Sequence, residues 1–174
     1  MKYFFDTEFI EDGKTIDLLS IGIIDENGRE FYQCNQDAKL DKASDWVIFN
    51  VYPSLGVQNY GSNWYWKEEK NTIIATKIEI RDRLIHFIAD DTPEFWAYYA
   101  AYDWIVLCQL FGSMRDLPKE WPQYCLDIKQ LSYSLENPEL PKNQSRHNAL
   151  EDARWVRYIF YFLQQISNER LICH

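Results

Sequence analysis

The sequence predicts an α/β fold: a mixed sheet that opens with an antiparallel three-strand meander, continues with parallel strands and is flanked by helices. Three observations predict it. Residues 2–34 hold three β-rich apolar runs separated by short turns, and the rest of the chain alternates helix-like with strand-like segments. In addition, 47 % of the 174 residues are hydrophobic, enough for one sizeable core, so one domain spanning residues 1–174 is expected.

In chain order, Lys2 to Ile10, Ile16 to Ile24 and Arg29 to Cys34 read as the meander, the last two joined by the turn Asp25-Glu26-Asn27-Gly28. A short helix around Lys42 to Phe49 and an irregular aromatic segment, GSNWYW, come next. A long helix from about Asn71 to Ala89 is expected, with Ile74, Ile78, Leu84, Ile85 and Ile88 as its apolar stripe. Glu94 to Tyr99 reads as a buried strand, followed by a helix from Tyr102 to Phe111 closed by Gly112. This strand-then-helix order suggests a crossover. Tyr124 to Asp127 suggests another short strand before a helix near Ile128 to Leu135, and ENPELPKNQSR has loop composition. A last helix from about Ala149 to Ser167 places Ala149, Ala153, Val156, Ile159, Phe160 and Leu163 on its apolar face.

Composition narrows the function. The longest apolar runs, such as Tyr158 to Leu163, fall far short of the roughly 20 residues a membrane span needs, and Asp6 and Glu8 interrupt any secretory signal. Cys34, Cys108, Cys125 and Cys173 form no CxxC pair, which argues against a zinc or redox motif and suits reduced thiols in the cytoplasm. A net charge of −9 argues against a large duplex-binding surface, so any nucleic-acid partner must be held locally. Aromatics, at 17 %, supply both core and potential stacking platforms for single-stranded bases.

Asp6 and Glu8 lie two apart in the first strand, so both carboxylates point to one face. The spacing alone is weak, because 27 acidic residues generate roughly one DxE by chance. Position adds weight: a strand opening an apolar sheet is a costly place for two like charges unless a cation neutralises them. Hard divalent cations held by carboxylate oxygen are the simplest remedy. Asp103 follows the strand-like FWAYYA, where a helix N-terminal acid is the alternative. His147 and Asp152 stand five apart, about 140° around an ideal helix, and can share a site only if His147 lies on the preceding loop. His86 and Asp91 repeat that spacing, but His86 falls inside the long amphipathic helix and reads as a surface or satisfied histidine.

FDTEF, AAYDW and HNALED, in that order, resemble the three motifs of the DEDDh subgroup of DnaQ-like, RNase H-fold 3′-to-5′ exonucleases, over residues 6 to 152. FDTEFIEDG, IDLLSIGIID and AYDWIVLCQLFG look more closely like the exoribonuclease AS family, whose members trim RNA 3′ ends. The DEDDy subgroup would place Tyr at position 148, which is Asn148. The resemblance implies an RNase H-like fold and two divalent cations, Mg²⁺ or Mn²⁺. It further implies release of nucleoside 5′-monophosphates from the 3′ end of single-stranded RNA, and a homodimer. Asp6 would bridge the metals, Glu8 and Asp152 would hold the nucleophile-side one, Asp103 would serve the leaving-group side and His147 would be the general base. Phe9 is a candidate for stacking the terminal base, with a core position as the alternative. Arg146 and Arg154 flank the histidine and could meet phosphates, solvated charge being the alternative. The runner-up readings are a DNA exonuclease of the same class and an inactive nucleic-acid-binding module of this fold. The complete carboxylate set argues against the second.

Overall fold

The computed structural model describes residues 1–67, 74–144 and 147–172. β1 (Lys2–Glu11), β2 (Ile16–Asp25) and β3 (Glu30–Asn35) form the expected antiparallel meander. The β2–β3 turn is built on Asp25, whose Oδ1 accepts the amides of Asn27 and Arg29, both at 2.9 Å, while Gly28 takes the left-handed conformation at φ 90°. There follow α1 (Asp45–Asn50), α2 (Tyr52–Leu55), β4 (Val57–Tyr60), β5 (Asn63–Trp66), β6 (Ile74–Ala75), α3 (Lys77–Ile88) and β7 (Glu94–Ala97). The chain continues with α4 (Ala101–Gln109), β8 (Leu126–Asp127), α5 (Ile128–Ser134) and α6 (Ala149–Ile172).

Six strands make one mixed sheet in the order β6-β3-β2-β1-β7-β8, with β1 parallel to β7, β7 parallel to β8 and β3 parallel to β6. Helices cover both faces, the α/β arrangement expected and one consistent with an RNase H-like fold. Period-two alternation divides β1 between two cores. Tyr3 and Phe5 pack with Ile21, Ile23, Ile80, Leu84 and Leu107 under α3 and α4. Phe4 packs on the opposite face with Ala153, Val156, Ile159, Phe160 and Leu163 of α6. Each fully buried large apolar side chain contributes about 1.5–3 kcal/mol. The apolar stripe of α6 therefore fixes that helix firmly enough to position the polar residues of its first turn.

Two expectations are corrected. GSNWYW is not irregular: Asn63 to Trp66 pair with Val57 to Tyr60 as an antiparallel hairpin, and Trp64 and Trp66 pack on a third core with Leu40, Val47 and Tyr52. The long helix does not begin near Asn71, which lies outside the described residues; Ile74 sits in β6, and Thr76 starts α3 by exchanging a capping box with Glu79. Its buried stripe is Ile80, Leu84 and Ile88, whereas Ile78 and Ile85 are 63 % and 41 % exposed.

Among the described residues no helix is long and apolar enough to cross a membrane. Cys34, Cys108 and Cys125 are free thiols, and Cys173 lies outside the described residues. For the site, the decisive feature is that β1 pairs with β7 only from Lys2 to Phe4, while its pairing with β2 runs on to Glu11. Beyond Phe4 the sheet splits.

Candidate active site

The carboxylates gather at this split. Asp6 and Glu8 share the α6 face of β1, and an oxygen from each lies within 4.8 Å of one from Asp152, a grouping able to hold a metal ion. Asp152 comes so close because of a glycine. Gly22 is the β2 partner of Asp6, and a Cβ there would lie 2.3 Å from the Ala149 carbonyl carbon and the Leu150 nitrogen. The missing side chain lets the first turn of α6 rest directly on β2.

The start of α6 also explains how His147 and Asp152 meet. Asn148 caps the helix, its Oδ1 accepting the amides of Leu150 and Glu151 at 3.2 Å, which leaves His147 on the loop as the spacing requires. The His147 amide donates to Asp152 Oδ2 at 3.0 Å, and the Asn143 side-chain amide donates to Oδ1. His147 has φ 67°, a left-handed conformation unusual for a residue with a side chain. Its carbonyl accepts from the Ser54 hydroxyl, and its ring stands edge-on to Trp46 with centroids 5.0 Å apart. A backbone bent this way at a cost of about 1–3 kcal/mol and tied on both sides is characteristic of functional positions.

Asp103 arrives from the other helix layer. Past the end of the β1–β7 ladder, the Thr7 amide donates to Asp103 Oδ1 at 3.0 Å and the Thr7 hydroxyl to the same oxygen at 2.6 Å. Asp103 is 6 % exposed and Glu8 8 % exposed. Burial pushes the Glu8 carboxyl up to about 8, with the charges of Asp152 and Asp103 adding to it. Burial also raises Asp6 well above the usual carboxylate range, reinforced by Asp103, Glu8 and Asp152. Asp103 is raised to about 6 by burial against the opposing hydrogen bonds from Thr7, and Asp152 is raised by burial against those from Asn143 and His147. Among the described residues no lysine or arginine forms an ion pair with any of the four. Asp6, Glu8 and Asp152, an all-oxygen donor set with mutually repelling charge and, among the described residues, no lysine or arginine paired to it, fit hard divalent cations.

The competing pair lies elsewhere. His86 sits on the outer surface of α3 beside Phe31 and Arg83, and Asp91 accepts the Tyr3 hydroxyl at 2.7 Å. Phe9 is partly buried against the core and stacked on Tyr102, with centroids 5.7 Å apart and 21° between planes. Arg154 is held in ion pairs with Glu30 and Glu151, and Arg146 lies outside the described residues. Thr7, Gly22, Ser54 and Asn143 are additions that the motif reading did not include. Of these only Gly22 left a signal, as a lone glycine inside the apolar run IDLLSIGIID.

The sequence is 37 % identical over 158 residues to two Mycobacterium tuberculosis proteins, the 3′-5′ exoribonucleases Rv2179c of strain H37Rv and MT2234.1 of strain CDC 1551. The alignments cover 88 % of this chain and 88 % of each relative. Residues 1–164, which include all five motif residues, match the family model of the 3′-5′ exoribonuclease Rv2179c-like domain, and the chain belongs to that family.

Proposed function

We propose that this chain is a DEDDh-type, two-metal-ion exoribonuclease that removes nucleoside 5′-monophosphates from the 3′ end of single-stranded RNA. The observation that carries this reading is the convergence of Asp6, Glu8 and Asp152 oxygens within 4.8 Å, in a chain whose relatives are exoribonucleases. When bound, the divalent cations supply a more acidic attacking water and charge compensation at the scissile phosphate. Asp6 would serve both cations, Glu8 and Asp152 would hold the one that activates water, and Asp103, fixed by Thr7, would serve the one that offsets charge on the leaving oxygen. His147 takes the proton from the attacking water as its oxygen bonds to phosphorus. The bond from phosphorus to the 3′ oxygen of the penultimate nucleotide breaks, that oxygen ends protonated as the new 3′ hydroxyl, and the terminal nucleotide leaves as its 5′-monophosphate. Asp152 has a second task, since its acceptance of the His147 amide sets where the imidazole begins.

End-labelled RNA, DNA and a duplex with a 3′ overhang, incubated in Mg²⁺ or Mn²⁺ and in EDTA, test the proposal. Stepwise shortening of RNA from the 3′ end that stops in EDTA is expected. Internal cuts or undiminished activity in EDTA would refute the two-metal mechanism, and clear preference for DNA would replace the substrate. His147→Ala is expected to lower turnover by about 10²- to 10⁴-fold while retaining Mn²⁺ affinity, whereas Asp152→Asn weakens Mn²⁺ binding itself. Equal loss of metal in the two variants would refute the role given to His147.

A further inference from the structure

The backbone of His147 is held at both ends: its amide donates to Asp152 Oδ2 at 3.0 Å and its carbonyl accepts from the Ser54 hydroxyl, with φ at 67°. These bonds fix where the side chain starts but leave the imidazole two torsions of its own. The ring itself meets Trp46, with centroids 5.0 Å apart and planes at 89°. Trp46 lies on α1, whose start is capped by Ser44, the hydroxyl accepting the Val47 amide at 3.4 Å. Val47 in turn is buried with Leu40, Tyr52 and Leu55 in the third core, which is separate from the core under α6. The indole is therefore carried by a segment that is anchored apart from the helix bearing Asp152. Core packing does not account for its position, because Trp46 is 57 % exposed.

We infer that Trp46 is a positioning residue for the general base: its indole sets the orientation in which the His147 imidazole meets the attacking water. This rests on the exonuclease reading. A general base must come within about 2.6–3.2 Å of the atom whose proton it takes, and a change of rotamer would carry the ring nitrogens out of that reach. Asp152 and Ser54 act on the backbone of His147 and cannot select the rotamer; the contact with Trp46 acts on the ring. A perpendicular pair is among the arrangements aromatic rings prefer, so the contact favours one orientation of the imidazole. A ring ordered before RNA arrives avoids the entropic cost of fixing it at the moment of reaction. Trp46 acts through His147, and the gain belongs to turnover, with substrate and cation binding left as they are.

The contact is read first without metal. The chain has three histidines, so its imidazole NMR resonances are few. In EDTA, Trp46→Ala is expected to shift those of His147, through loss of the indole ring current, and to leave those of His86 on α3 in place. With Mn²⁺ and an oligoribonucleotide, kcat for removal of the first nucleotide is expected to fall about 3- to 10-fold, the worth of one aromatic pair, with KM and Mn²⁺ affinity changed by about 2-fold or less. Trp46→Phe is expected to recover most of the rate. Phe49→Ala, on the same helix and 76 % exposed, serves as the control and is expected to keep it all. The deciding measurement repeats Trp46→Ala in His147→Ala, where it is expected to cost about 1.5-fold or less because the group it orients is gone. An equal loss in both backgrounds, an equal loss in Phe49→Ala, a loss confined to KM or unshifted His147 resonances would each overturn the assignment while leaving exonuclease activity intact. A wild type that does not shorten the RNA would overturn the exonuclease reading itself, and this inference with it.

Discussion

Replacing Gly22 by alanine adds one methyl group at the point where α6 rests on β2. That carbon would sit 2.3 Å from the Ala149 carbonyl carbon and the Leu150 nitrogen, against 3.4 Å or more in ordinary contact. All the atoms it meets are backbone, so no rotamer change relieves the clash, and the first turn of α6 must recede by about 1 Å. Overpacking of this kind costs about 1–3 kcal/mol, and a chain of this length loses about 2–4 °C in Tm per kcal/mol. The larger consequence falls on the site, because Asp152 lies in the displaced turn and metal–ligand distances tolerate only about ±0.2 Å. Gly22→Ala is therefore expected to lower Tm by several degrees and Mn²⁺ affinity by 10-fold or more, roughly the scale expected when a ligand's support is lost. Thermal unfolding in EDTA and calorimetric titration of Mn²⁺ measure the two effects separately. Wild-type Tm together with wild-type affinity would refute the close-approach argument. A lowered Tm with undiminished affinity would refute the link from Gly22 to Asp152.

Two further outcomes follow from the electrostatics. Folding raises the Glu8 carboxyl to about 8, so between its unfolded value near 4.5 and about pH 8 the folded chain binds more protons than the unfolded one, and stability falls as pH rises. In EDTA, Tm should drop steadily from pH 5 to pH 8.5, and saturating Mg²⁺ should abolish most of the slope; a flat or rising Tm in EDTA would contradict the assigned burial. Thr7→Val removes the hydroxyl at 2.6 Å from Asp103 Oδ1 and keeps the amide, and because Thr7 holds the Asp103 carboxyl down, that group should rise above about 6. Carboxylate resonances followed through a pH titration in EDTA report this directly, and an unmoved Asp103 would show that the hydroxyl contributes nothing.

How much of this was legible in the sequence depended on whether each feature is local. The meander was readable because alternation and the Asp25–Gly28 turn act within a few residues. The apolar face of α6 was readable because Ala149, Ala153, Val156, Ile159, Phe160 and Leu163 are all buried as their spacing predicts. The pairing of Asp6 with Glu8 and the loop position of His147 likewise follow from strand and helix geometry. The start of α3 was misread because Ile74 and Ile78 suit a helical stripe, although the Thr76–Glu79 capping box places the boundary between them. The contact of Thr7 with Asp103 spans 96 positions, and Gly22 meets α6 only through the fold. No local pattern encodes either.

The behaviour of β1 connects these features. Its first residues are clamped between β2 and β7, but from Asp6 onward it has β2 alone, and a buried amide released from a ladder must find another acceptor. The Thr7 amide finds Asp103, which draws the first turn of α4 to the strand end. On the opposite face, the missing side chain of Gly22 brings Asp152 down onto Asp6 and Glu8. The same split that opens a cleft in the sheet thus recruits one carboxylate from each helix layer to two that the strand already carries. Apolar packing of α6 against Phe4 and Ile24, and of α4 against Phe5 and Phe95, holds the four together against their repulsion. A ligand that binds only the assembled cluster stabilises the fold by RT ln(1 + [L]/Kd). Cation binding would therefore relieve the repulsion that packing now contains, making the stability of the fold and the readiness of the site one property.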